Sequence, residues 1–154
     1  MEFGSIEREV HVEASPEVVY DVLSSPEHLR QWWPDEVELD PTPGGTGTLT
    51  FGHTDERGAV VQPMTVVAAD RPHRFSFRWA YDLDDVASPT NSFLVVFELT
   101  PSGTGTRLRL TETGFRERGW EGAVLEERYR GNVVGWDHFL PRLVAYAGSL
   151  GPRS

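Results

Sequence analysis

The last third of the chain changes its hydrophobic period, and that change fixes most of what the chain can become. From Glu121 to Leu150, apolar residues fall at Leu125, Tyr129, Val133, Trp136, Leu140, Val144 and Ala147. Steps of three or four residues are the stripe of an amphipathic helix. At ~1.5 Å per residue this helix is about 40 Å long, enough to cross a sheet. Pro141 lies inside it, removes a donor to the Asp137 carbonyl, and is expected to kink it. Gly131 and Gly135 weaken it, which suits a close approach to the sheet or the loops.

Upstream, the segments are strand-sized. Ile6–Glu13 alternates, with Ile6, Val10 and Val12 on one face and charged residues on the other. Ser15-Pro16-Glu17 then supplies an N-cap, a first-turn proline and an acidic first turn, and starts a short helix. Ser25-Pro26-Glu27 repeats the signal for a second helix over Glu27–Trp32, stopping before Pro34. Six strands are expected at Glu36–Asp40, Thr46–Gly52, Ala59–Asp70, Arg74–Ala80, Ser92–Thr100 and Thr106–Phe115. Turns at 41–45, Asp55–Gly58, 70–72 and 101–105 leave no room for crossover helices, so the strands form an antiparallel meander. The acidic stretch Tyr81–Asn91 is expected to be a surface loop or flap.

Composition narrows the function classes. A chain of 154 residues is the size of one domain, expected over 6–150, with 1–5 a disordered start or cloning remnant. There is no cysteine, so disulfides, thiolate metal sites and cysteine nucleophiles are excluded. There is no lysine either: every basic residue is arginine, which removes Schiff-base and P-loop chemistry. A formal charge of −10 repels nucleic-acid phosphates and anionic membrane surfaces, so neither is expected as a partner. No apolar run is long enough to span a bilayer, and no basic, apolar leader opens the chain. The cytoplasm is the expected compartment, and the all-arginine usage suits a GC-rich bacterial genome.

A single seven-stranded sheet must cover one face, and one helix does so only if the sheet curls around it. The expected class is therefore α+β: a curved antiparallel sheet gripping the C-terminal helix, with two short helices after the first strand. A space between sheet and helix is a natural ligand cavity. The opening Ile6–Val12 with Ala14-Ser15-Pro16-Glu17-Val18-Val19-Tyr20, and Pro26–Trp33, resemble the START-like, or SRPBCC, superfamily. Gly105–Leu108 through Gly114-Phe115, and Gly135-Trp136 with Leu140, Leu143 and Tyr146, resemble its subfamily named after the ATPase activator of the 90-kDa heat-shock protein. The resemblance implies a helix-grip fold over about residues 6–148. It implies no single function, since this superfamily holds carriers, receptors, cyclases and chaperone cofactors.

Phe75, Phe77 and Trp79 share one strand face, as do Phe93 and Phe97 on the next. Tyr129 and Trp136 lie on the helix stripe facing them, and Trp32 and Trp33 close one end. These rings suit either an apolar cavity or a filled core. In Leu108, Leu110, Glu112 the parity points Glu112 inward, where its pKa would rise. The competing reading, favoured by the strand end at Gly114, turns Glu112 to water. Arg78, Arg107 and Arg109 are expected on the outer face as salt-bridge partners. His11, His28, His53, His73 and His138 are scattered without metal-ligand spacing, so neither a metal nor a cofactor is expected. There is no nucleophile elbow, and Gly44-Gly45-Thr46-Gly47 reads as a turn.

Three functions stay open. The first is binding of an apolar or amphipathic small molecule, with Trp33, Phe77, Trp79, Phe97, Glu112, Tyr129, Trp136 and Leu140 as its wall. The second is a cyclase- or dehydratase-type enzyme in which Glu112 or His138 moves protons. The third is a chaperone-activator-like interaction module meeting a basic partner through its acidic face. A homodimer is open as well, because the helix-grip arrangement leaves an edge strand.

Overall fold

The computed structural model describes residues 4–52 and 59–150. Element order is β1 (Ser5–Val12), α1 (Pro16–Ser24), α2 (Pro26–Trp32), β2 (Glu36–Leu39), β3 (Thr46–Phe51), β4 (Val60–Asp70), β5 (Arg74–Trp79), β6 (Phe93–Ser102), β7 (Gly105–Thr113) and α3 (Gly122–Leu150). The strands form one antiparallel sheet in the order β1-β7-β6-β5-β4-β3-β2. The class is α+β, a sheet curved around α3 with two short helices after β1. The register of β4 against β5 shifts between Val66 and Ala68, a bulge of the kind that bends a strand.

Each boundary has a local cause. The Ser15 hydroxyl accepts the Val18 N–H at 3.3 Å and Pro16 opens α1. Trp32 Nε1–H donates to the Val22 carbonyl at 3.0 Å, which fastens α2 to α1. Gly114 ends β7 at φ +108°, where a Cβ would lie 2.6 Å from the Ser92 carbonyl oxygen. Only glycine fits there.

The core lies between the sheet and the three helices. Ile6, Leu49, Met64, Val66, Phe75, Phe77, Val95, Phe97, Leu108 and Leu110 are buried along the strands. Leu125, Trp136, Leu140, Leu143 and Ala147 meet them from α3. Two contacts fasten α3 to β1: Arg8 Nε–H donates to Asp137 Oδ1 at 2.9 Å, and the Tyr129 hydroxyl donates to the Ser5 carbonyl at 2.8 Å. His28 Nδ1 and the Tyr146 hydroxyl, 2.7 Å apart, join α2 to the far end of α3.

Some expectations need correction. Ser5, read as part of a disordered start, opens β1 opposite Thr113. Arg107 and Arg109 do pair on the outer face, with Glu9 and Glu7. Arg78 does not: its guanidinium donates to the Ser88 carbonyl and the Ser92 hydroxyl, both at 3.4 Å. The loop Tyr81–Asn91 folds onto itself, with Asn91 Nδ2–H donating to the Val86 carbonyl at 2.9 Å. His53 and the expected turn Asp55–Gly58 lie outside the described residues.

Candidate functional site

The sheet register decides where Glu112 points. Ile6, Glu112, Val95, Phe77 and Val66 stand opposite one another across β1, β7, β6, β5 and β4. Neighbours in such a row share a face, so Glu112 is held in the core row. It is fully buried at 0% exposure, which corrects the reading that turned it to water.

A buried carboxyl needs partners, and this one has N–H donors on both oxygens. Trp79 Nε1–H donates to Oε2 at 2.7 Å. Trp136 Nε1–H and Asn132 Nδ2–H donate to Oε1 at 2.9 Å and 3.0 Å. Burial pushes the Glu112 carboxyl above the usual glutamate range, and the bonds from Trp136, Trp79 and Asn132 oppose that rise in this order. No cation takes part in its ion-pairing range among the described residues.

The same three donors reappear as walls of a cavity. It measures about 160 Å3 and is lined by Trp33, Phe51, Trp79, Gly131, Asn132, Gly135, Trp136 and Phe139. Trp33, just past the end of α2, is its hub. Its ring centroid lies 5.2 Å from those of Trp79 and Trp136, 5.7 Å from Phe77 and 6.1 Å from Phe51. The helix side is different. A Cβ built on Gly131 or Gly135 meets nothing within 4 Å. These glycines therefore do not bring α3 closer to the sheet, as the sequence suggested. One turn apart on the same face, they leave open the space the cavity occupies.

A family model described as "Activator of Hsp90 ATPase homolog 1-like protein" matches residues 13–148. The chain belongs to this family. Solved structures show the same fold for the activator-like chain at low identity. Protein MLL2253 from Mesorhizobium loti is similar at 22% identity, over 92% of this chain and 95% of that one, with a TM-score of 0.72. Protein NE0264 from Nitrosomonas europaea is similar at 18%, over 97% of both chains, with a TM-score of 0.74. DynU16, from the dynemicin biosynthetic locus, is similar at 20% over 97% of this chain and 49% of its own, with a TM-score of 0.69. A search of the curated proteins finds no match.

Within the activator-like fold, the expected wall residues divide. Trp33, Trp79 and Trp136 line the cavity, while Glu112 stands behind it and holds Trp79, Asn132 and Trp136. Phe77 and Phe97 form a layer beneath, their centroids 6.4 Å apart, with Phe97 6.1 Å from Trp136. Tyr129 packs on Phe115 at 5.3 Å and points its hydroxyl to β1, away from this wall. Leu140 lies beside Arg8, Val10 and Asp137 in a separate groove along β1. His138 is exposed against Phe139, and no residue of Tyr81–Asn91 lines the cavity. Phe51, Asn132 and Phe139 escaped the sequence reading. For two of them a signal existed: 132, 136 and 139 share a helix face. No group of His, Asp or Glu among the described residues could hold a metal ion, and no described helix is long and apolar enough to cross a membrane.

Proposed function

We propose that the protein binds one small apolar or amphipathic molecule between β5, α2 and α3. The observation that carries this reading is the ring-walled space of about 160 Å3 kept open by Gly131 and Gly135. A protein cavity of about 150 Å3 holds one benzene-sized guest. The size therefore favours a single ring or a short branched chain over a long lipid or a folded polyketide. It also favours binding over catalysis. Among the described residues, the wall's polar groups are the Asn132 amide and the indole N–H groups of its tryptophans, and the buried Glu112 has both oxygens occupied by the donors of Trp79, Asn132 and Trp136. A cyclase-type site needs two ionisable groups converging on the substrate.

Gly135→Leu gives a clean test. A Cβ at this position meets nothing within 4 Å, the rest of the side chain extends into the cavity, and leucine is the better helix former by up to about 1 kcal/mol. Native mass spectrometry of the freshly purified protein, followed by titration with indole against tryptophan fluorescence, reads the guest. The expected result is a retained adduct or saturable indole binding in the wild type, lost in Gly135→Leu with thermal stability unchanged or raised. Absence of any guest in the wild type, or binding that survives Gly135→Leu, overturns the proposal.

A further inference from the structure

A second cavity adjoins the first. It measures about 200 Å3, shares Trp79 and Asn132 with the first as walls, and is otherwise lined in part by Arg118, Trp120 and Arg128. The two guanidinium groups converge on one ring. Arg118 Cζ lies 4.6 Å from the Trp120 centroid and Arg128 Cζ lies 5.6 Å from it. Arg118 also stands over Phe93 at 5.5 Å, and one of its N–H groups donates to the Ala80 carbonyl at 3.1 Å.

Two like charges on one ring at the wall of a pocket are a place where an anion would be held. In a chain of net charge −10, carboxylates are the abundant partner: Arg8, Arg71, Arg74, Arg107, Arg109 and Arg130 have one within ion-pair distance, whereas Arg30, Arg78 and Arg142 have none among the described residues. Neither Arg118 nor Arg128 forms such a pair among the described residues. Asp82 acts on Arg118 only from beyond that distance. Burial, with Arg128 adding to it, holds the Arg118 guanidinium below the usual arginine range. Each group keeps N–H donors that no described residue uses, and a guanidinium offers those donors in a fork suited to a carboxylate.

We infer that this second cavity receives the anionic end of the ligand, so that the molecule bound is a small organic acid with its apolar body among the rings and its carboxylate at Arg118 and Arg128. The inference rests on the binding proposed for the first cavity and adds to it the ligand's charge and orientation. Trp79 and Asn132, which line both cavities, stand where the two ends of the ligand meet. A carboxylate placed instead on the Glu112 side would meet a buried carboxyl whose N–H partners are already engaged.

A matched pair of probes tests this: 3-phenylpropionate and 3-phenyl-1-propanol, alike in ring and chain and differing in charge. Their dissociation constants are measured by calorimetry with the wild type, Arg118→Gln, Arg128→Gln and Gly135→Leu. The expected result is an acid preference of about tenfold or more in the wild type, equivalent to ~1.4 kcal/mol. That preference shrinks in added salt and in both arginine variants, while the alcohol's affinity stays within about twofold. Arg128 lies exposed on α3 with no hydrogen bond to lose, so Arg128→Gln keeps the test valid should Arg118→Gln fold poorly. Equal affinity for both probes, a preference for the alcohol, or equal weakening of both by the arginine variants overturns the inference and leaves the ring-lined site standing. Binding of neither probe, or binding unaffected by Gly135→Leu, overturns the ring-lined site and this inference with it.

Discussion

Glu112 combines two roles that one side chain rarely holds together. It is a carboxyl in the apolar row of the sheet, and it is the acceptor that orients two indoles and an amide on the cavity wall. Replacing it by glutamine keeps the shape but turns one oxygen into an NH2 group facing an N–H donor. The expected cost is about 1–3 kcal/mol in urea unfolding. The pH dependence has a definite sign. The folded state holds the Glu112 proton more tightly than the unfolded chain does, so the carboxyl's contribution is fullest below the ordinary value of 4.5 and is lost as pH rises through the folded-state pKa. The stability gap between wild type and Glu112→Gln should therefore narrow as pH rises from about 4.5. A gap that widened with pH would mean that the folded protein prefers the charged form. Parity alone pointed Glu112 inward in the sequence. The nearby glycine obscured this, because the run Leu108, Leu110, Glu112 does not say whether the ladder continues to Thr113; the pairing with β1 does.

At the scale of elements, the cavity depends on the tryptophan that follows the last residue of α2. Trp33 touches rings from β3, β5 and α3, so it sets the spacing of the three elements around the empty volume. Trp33→Ala should cost about 3–5 kcal/mol in chemical denaturation, since the surrounding rings cannot all collapse into the space left. A loss below about 1 kcal/mol would show that α2 is not needed to hold α3 off the sheet. The elements themselves were legible. Proline and serine mark the starts of α1 and α2, glycine or proline marks the turns at 41–45, 70–72 and 101–105, and the shift from period two to period 3.6 marks α3. Their mutual placement was less so. The stripe read from Tyr129, Val133 and Trp136 is centred on the core side of α3 and passes over Asn132 and Phe139, which stand at its flank on the cavity. The meeting of Arg118, Trp120 and Arg128 joins a loop to a helix, and no periodicity encodes such a contact.

The whole molecule presents two sheet edges, and they are defended differently. β1 is tied to α3 through Arg8–Asp137 and Tyr129–Ser5. β2 is four residues long, and Asp35, Glu36, Glu38 and Asp40 lie on or beside it. Short, charged edges resist pairing with a second copy. The expected outcome in light scattering is a monomer at low ionic strength; a stable dimer there would show that another face associates. The family assignment and the fold emerged from the chain at this scale because they are distributed over nearly all of it, from residue 13 to residue 148. The cavity did not, because a few side chains around a small volume decide it.

Gly131 and Gly135 have one more consequence, and it concerns how such a protein changes over generations. A single base substitution turns a glycine codon into one for alanine or valine. At these two positions the new side chain would occupy vacant space, not a neighbour's, and alanine would strengthen the helix. The usual conflict, in which a mutation that alters what a site accepts also weakens the scaffold, is relaxed here. Under the proposed binding, guest size can drift in small heritable steps along one turn of a helix while selection for folding stays nearly silent.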